Sequence, residues 1–173
     1  MGCRRRPQRH AAAGHHDRRG TTWERQAIPD GVVRDLRDVA FVDRRHGWAV
    51  GASTTAPPAN DISGVGVVLV TSDGGATWAS QATTAGSLWS LAIVDRNTVF
   101  AGGGYSLFST RDGGATWDKQ TFTLPALDAI SFTDATHGWV THSMFSVICR
   151  TDDGGRTWLP SGVKPGMTLR PCT

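Results

Sequence analysis

The sequence has 173 residues, 39% of them hydrophobic, with 21 Gly and 7 Trp but only 2 Lys, enough chain for one turn-rich domain with a core. The formal charge of +3 sits at one end: residues 1–20 carry six Arg and one Asp (+5), so the remaining 153 sum to 3 − 5 = −2, which argues against a nucleic-acid-binding body. Cys3, Cys149 and Cys172 are too scattered for a disulfide framework or a zinc site (Cys149 with Cys172 is the one pairing of short separation), and no apolar run approaches the ~18 residues of a membrane span.

Residues 1–19 show no strand or helix signal. Their Arg-rich start has no apolar h-region, so no export signal is expected, and a sixth residue that is neither Ser nor Thr speaks against myristoylation. His10, His15 and His16 lie there without a framework to hold a metal. The expectation is either a disordered basic tail or a misplaced start joined to genuine sequence near Gly20. From there, residues 20–35 read as the last strand of an incomplete unit, Gly20 to Trp23 onward, followed by a crossing loop.

Beyond residue 36 the chain repeats itself. FVDRRHGWAVG (Phe41 to Gly51), IVDRNTVFAGG (Ile93 to Gly103) and FTDATHGWVTH (Phe132 to His142) align with Asp43, Asp95 and Asp134 in register, as do Trp48, Phe100 and Trp139. Each reads as an apolar strand, a polar turn and a second strand opening with an aromatic residue. A third apolar strand follows each, then an octapeptide: TSDGGATW (Thr71 to Trp78), TRDGGATW (Thr110 to Trp117) and TDDGGRTW (Thr151 to Trp158). Trp78, Trp117 and Trp158 are 39 and 41 residues apart, the period of a stacked supersecondary unit. A fourth strand begins at each of these Trp.

Four short antiparallel strands per ~40 residues make a β-propeller blade. The expected fold is therefore all-β: blades at 36–82, 88–122 and 127–161, one orphan strand before them, and a truncated tail at 162–173. The first blade is lengthened by an insertion at 53–64 marked by Pro57-Pro58. Propellers close with about four to eight blades. Three blades would leave open edges prone to self-association, so a fragment of a larger propeller is expected.

In the octapeptides, Asp73, Asp112 and Asp153 are suited to accept hydrogen bonds from backbone N–H groups just after them. Gly75, Gly114 and Gly155, each after another Gly, supply the positive φ of a tight turn. Thr77, Thr116 and Thr157 are β-branched and suit an outgoing strand, while Trp78, Trp117 and Trp158 bury a large area against the next unit. Three copies spaced along an array cannot converge on one site, so the carboxylates read as turn latches rather than as metal ligands or catalytic groups.

The pattern S/T-x-D-x-G-x-T-W resembles the Asp-box, or BNR repeat, of sialidase-like β-propellers, where the box is a structural turn between the third and fourth strands. Combined with F-x-D-x-x-H-G-W-A-V-G in the same blade, the chain is similar over residues 20–161 to the photosystem II stability/assembly factors. That resemblance implies a non-enzymatic, seven-bladed scaffold that recognises a protein partner, works outside the cytoplasm and needs no cofactor. Sialidases, by contrast, use a Tyr nucleophile, Glu, Asp and three Arg, whereas this chain has one Tyr (Tyr105) and one Glu (Glu24), read onto separate units. Xyloglucanase-type enzymes need two facing carboxylates, and nothing in the spacing singles out a pair. A fragment of an Asp-box glycoside hydrolase is the alternative.

Strand alternation places the insertion, the crossings and the turns between second and third strands on the face opposite the octapeptides. Candidate binding residues there are Arg34, Asp35, Arg37, Asp61, Tyr105 and His142. His46 and His137, each before Gly-Trp, fall on the octapeptide side as turn residues.

Overall fold

The computed structural model describes residues 13–16, 23–53, 65–123 and 127–161; Asp61 and the tail at 162–173 lie outside them. Three four-stranded antiparallel sheets follow one another along the chain. The first contains β3 (Val33–Phe41), β4 (Gly47–Ser53), β5 (Val65–Thr71) and β6 (Ala79–Ala85). The second contains β7 (Ser90–Ile93), β8 (Val99–Gly103), β9 (Ser106–Thr110) and β10 (Asp118–Thr121). The third contains β11 (Leu127–Phe132), β12 (Gly138–His142), β13 (Val147–Thr151) and β14 (Leu159–Ser161). In each sheet every strand pairs with its sequence neighbour, so each is an up-and-down blade of a β-propeller.

Ahead of them, β1 (Ala13–His16) and β2 (Trp23–Gln26) form a two-stranded antiparallel sheet. Its register is that of the outer half of a blade. In the three blades the residue eight before the octapeptide Trp pairs with the residue one after it: Val70 with Ala79, Ser109 with Asp118, Arg150 with Leu159. The same offsets about Trp23 give His15 with Glu24, the observed pair. The segment read as featureless up to residue 19 thus contributes a strand in the third-strand place. Its sequence keeps Gly20, Thr22 and Trp23 of the octapeptide but has His16, Arg18 and Arg19 where the other copies have Thr, Asp and Gly.

The sheets stack face to face through their apolar side chains. Trp48, Val50 and Val68 of the first sheet meet Leu91, Val99 and Phe108 of the second. Phe100 and Leu107 of the second meet Leu127, Ile130, Val140 and Trp158 of the third. Val33, Ala49, Val67, Leu69 and Trp78 form a third cluster on the opposite face of the first sheet, the face turned toward β2. Innermost strands β3, β7 and β11 lie side by side. Cys149 in β13 is buried in the second interface and disulfide-bonded.

These clusters correct the expected direction of the octapeptide Trp. Trp158 packs among second-sheet side chains and Trp117 against the first–second interface, so each points back to the preceding blade. The residues that reach forward are Trp48 and Phe100, which open the second strands. The outgoing strands also start after these Trp, at Ala79, Asp118 and Leu159. Thr77, Thr116 and Thr157 therefore lie in the turn and not in a strand, and their hydroxyls have a different use.

Candidate functional site

Each octapeptide closes on itself. Asp73 accepts from the Thr77 N–H at 2.9 Å and hydroxyl at 2.6 Å, and from the Thr71 hydroxyl at 2.8 Å. The buried Thr71 hydroxyl accepts in turn from the Gly75 N–H at 2.9 Å. Asp112 with Thr116 and Thr110, and Asp153 with Thr157 and Thr151, repeat the arrangement. Gly74 and Gly75 hold φ of +78° and +90°, a region open to glycine, and this brings the backbone N–H onto Thr71.

The donors set the acidity. The Thr77 hydroxyl and then its N–H hold Asp73 down to about 2, and Thr116 does the same for Asp112. Asp153 is lowered to about 2, first by the Thr157 N–H. Carboxylates that stay ionised and fully engaged in their own turns have little left to offer a substrate proton. A parallel turn joins the first two strands of each blade. Asp43 accepts from the Arg45 and His46 N–H groups and is held well below the usual carboxylate range, as is Asp134, where the Thr136 hydroxyl and N–H and the His137 N–H converge.

Between blades, the Gln three residues after Trp78 and its counterpart three residues after Trp117 act as latches. Gln81 donates to the Gly113 carbonyl at 2.7 Å in the second octapeptide, and its Oε1 accepts from Trp48 Nε1 at 3.3 Å. Gln120 donates to the Arg156 carbonyl at 3.0 Å in the third, and accepts from Trp158 Nε1 at 3.1 Å. Gln26 on β2 brings its buried Oε1 beside Gly75 of the first octapeptide, so β2 occupies a fourth-strand place. Ser161 stands at this position in the third blade and bonds Ile148 within its own sheet. The thrice-repeated W-x-x-Q was the sequence signal for these contacts.

The candidate residues do not converge on one site. Arg34, Asp35 and Arg37 gather on β3, where Asp35 accepts from the Nε of both Arg at 3.1 Å. Tyr105 is exposed in the β8–β9 turn, and its carbonyl accepts from Phe122 N–H at 2.7 Å. His142 differs from expectation: as the last residue of β12 it is 1% exposed, with its ring 5.2 Å from that of Phe122, and it is part of the core. Phe122 thereby joins the Tyr105 turn to the end of β12. Glu24, on β2, belongs to a different sheet from Tyr105.

An open groove of about 380 Å³ lies elsewhere, at the outer rim between the second blade and the third octapeptide. Arg111, Asp118, Lys119 and Arg156 border it. Arg111 donates to the Gly154 carbonyl at 2.8 Å and stands 6.0 Å from the Phe100 ring centroid. Sequence reading missed this groove because it forms only when two blades stack. Among the described residues, no group of three His, Cys, Asp or Glu is placed to hold a metal, and no helix is long and apolar enough to cross a membrane.

No protein-family model matches the sequence, and no curated protein matches it at a significant level. Solved structures do. YCF48 bound to D1 peptide superposes with a TM-score of 0.58 at 24% identity, over 77% of this chain and 40% of that chain. YCF48 from Cyanidioschyzon merolae gives 0.58 at 22%, over 78% of this chain and 38% of that chain. The fold is that of YCF48, a β-propeller photosystem II assembly factor. This chain spans about two fifths of the length of YCF48, and the likeness is one of fold.

Proposed function

We propose that the chain is a protein-binding propeller module, a non-enzymatic scaffold of the photosystem II assembly factor type. The observation that carries this reading is the shared fold with YCF48, which has been solved with a D1 peptide bound. The occupied octapeptide carboxylates support it, since each spends its lone pairs on its own turn. Their role as Asp-boxes, work outside the cytoplasm and a link to photosynthesis belong to the same proposal.

On the face opposite the octapeptides, Arg34 and Arg37 flank Asp35, and Tyr105 projects from its turn. These supply charged and aromatic contacts for an extended peptide. Titrating a fluorescent D1 peptide into the purified chain tests the reading. Saturable binding that weakens about tenfold or more in Arg34→Ala/Arg37→Ala is expected, on the scale of lost charge-assisted hydrogen bonds. Absence of binding together with hydrolysis of a sialoside or xyloglucan substrate would replace the scaffold with a glycoside hydrolase.

A further inference from the structure

The groove between the second blade and the third octapeptide is built from repeat positions that also meet between the first and second blades. Arg111, Asp118 and Arg156 line it, and they align with Ser72, Ala79 and Ala115. The backbone is shared. Gly113 and Gly154 hold φ of +70° and +71°, and at each interface a Gln of the earlier blade bonds a carbonyl of the later octapeptide. The charge is not shared: a carboxylate and two guanidinium groups stand where the first interface has a hydroxyl and two methyl groups. The octapeptide closes in the same way with Ala76, Ala115 or Arg156 in it, so its own turn has no need of Arg156.

Arg111 is held in place without being neutralised. Its Nη2 donates to the Gly154 carbonyl at 2.8 Å, and its guanidinium carbon stands 6.0 Å from the ring centroid of Phe100, which is fully buried. Among the described residues its other N–H groups bond no protein atom, and the Arg156 guanidinium pairs with no carboxylate. Asp118 stands opposite Ser109 in register and shares a strand face with Gln120, which reaches the third octapeptide. Its carboxylate also has no hydrogen-bond partner among the described residues. Lys119 alternates to the other face, its Nζ 5.9 Å above the Phe108 ring in the first interface. The side chains turned to the groove are thus two guanidinium groups, one carboxylate and the Ser109 hydroxyl.

We propose that this groove binds a uronate, a hydroxyl-rich sugar ring with a single carboxylate. The guanidinium forks of Arg111 and Arg156 match a planar carboxylate and fix its orientation. Asp118 in the same groove opposes a second negative charge, which favours a singly charged group over a dianion such as sulfate. It accepts instead from ring hydroxyls, and the Ser109 hydroxyl serves either way. Apart from Leu107 the lining is polar, so it suits hydroxyl groups better than the apolar parts of a peptide. A volume of about 380 Å³ lies in the range of small-ligand clefts. The groove is at the octapeptide rim, away from the face that carries Arg34, Arg37 and Tyr105.

The test is calorimetric titration of the full chain with digalacturonate at low ionic strength. Saturable binding is expected, weakening as salt rises. The variants introduce residues that the first interface already carries at the aligned positions, so the blades keep their fold. Arg156→Ala should weaken binding about tenfold, the scale of lost charge-assisted hydrogen bonds, and Arg111→Ser at least as much. Asp118→Ala should weaken digalacturonate about threefold while tightening inorganic sulfate. Galactobiose, which lacks the carboxylates, should not bind at the same concentrations. No binding by a chain with an intact thermal transition overturns the proposal, as does binding unchanged by Arg156→Ala or matched by galactobiose. Equal binding of a Glu-Glu dipeptide would assign the groove to acidic peptides and overturn the sugar, and a preference over sulfate unmoved by Asp118→Ala would overturn the selection by charge. The D1 peptide titration reads the opposite face, so either proposal can fail alone.

Discussion

The first and second blade interfaces use the same repeat positions for different chemistry. Between the first and second blades the apolar cluster is joined by polar contacts from turn to turn: Gln81, which accepts from Trp48, donates to Gly113, and Arg96 donates to Asp43. Between the second and third, Phe100 replaces Trp48 and lies flat on Phe132, interplanar angle 6°. Ala135 replaces Arg96, and Arg111 reaches instead to a carbonyl. The turns, by contrast, keep one hydrogen-bond pattern in all three copies. A position satisfied within its own turn has one solution, whereas a position facing a neighbour needs only to match that neighbour.

Substitutions can break or sharpen this contrast. Trp158→Ala should cost most, about 3–5 kcal/mol in chemical denaturation, because the side chain is fully buried in the second interface. Trp78→Ala should cost less, because Trp78 packs among first-sheet residues and keeps 8% exposure; an equal loss would deny that difference. Thr110→Val should cost about 1–3 kcal/mol by leaving the buried Gly114 N–H without its acceptor at 2.8 Å. The same change at Thr71 should match it, since the turns are equivalent. Phe100→Leu should cost about 1–2 kcal/mol through loss of the stacked pair, with little effect on the first interface. Arg96→Ala should cost at most about 1 kcal/mol at low salt and nothing at high salt, since the pair is exposed; Arg111→Ala, facing a carbonyl, should show weaker salt dependence.

Acid should act on the turns as a set. Asp73, Asp112 and Asp153 have folded pKa values lowered from 3.8 to about 2 by the Thr donors of their own turns. Their stabilisation is therefore complete above pH ~4 and lost as pH falls from there toward 2. Thermal unfolding followed between pH 5 and 2 should show the midpoint dropping in that window. A midpoint flat down to pH 2 would remove the ionised carboxylates from the account.

What the sequence revealed follows from the range of each interaction. The turns were legible because Thr71, Asp73, Gly75 and Thr77 act on one another within seven residues, so spacing carries the chemistry. The blade pattern was legible from the period of the same motif. The direction of Trp78, Trp117 and Trp158 was not, because a bulky apolar residue records burial without recording which neighbour provides it. Asp43 and Arg96 are 53 residues apart and meet only after stacking. His142 looked like a loop residue because it ends a strand, and only the placement of Phe122 shows that it is covered. β1 was missed for another reason. Its register survives about Trp23, but Arg18 and Arg19 stand where the other copies have Asp and Gly.

The closed hydrogen-bond circuit of the octapeptide also bears on how the chain folds. Thr71 to Trp78 needs only a loop of a few residues to close, an event on the ~10–100 ns scale. Each such closure sets the register of the third and fourth strands before any distant contact forms. The separations of 32 to 53 residues across interfaces, as in Gln81 with Gly113 and Arg96 with Asp43, come afterwards. Folding then propagates between neighbouring units, as in a linear array with nearest-neighbour coupling, and can nucleate at any of the three turns. A chain built this way tolerates damage to one nucleus, because two others remain to start the process.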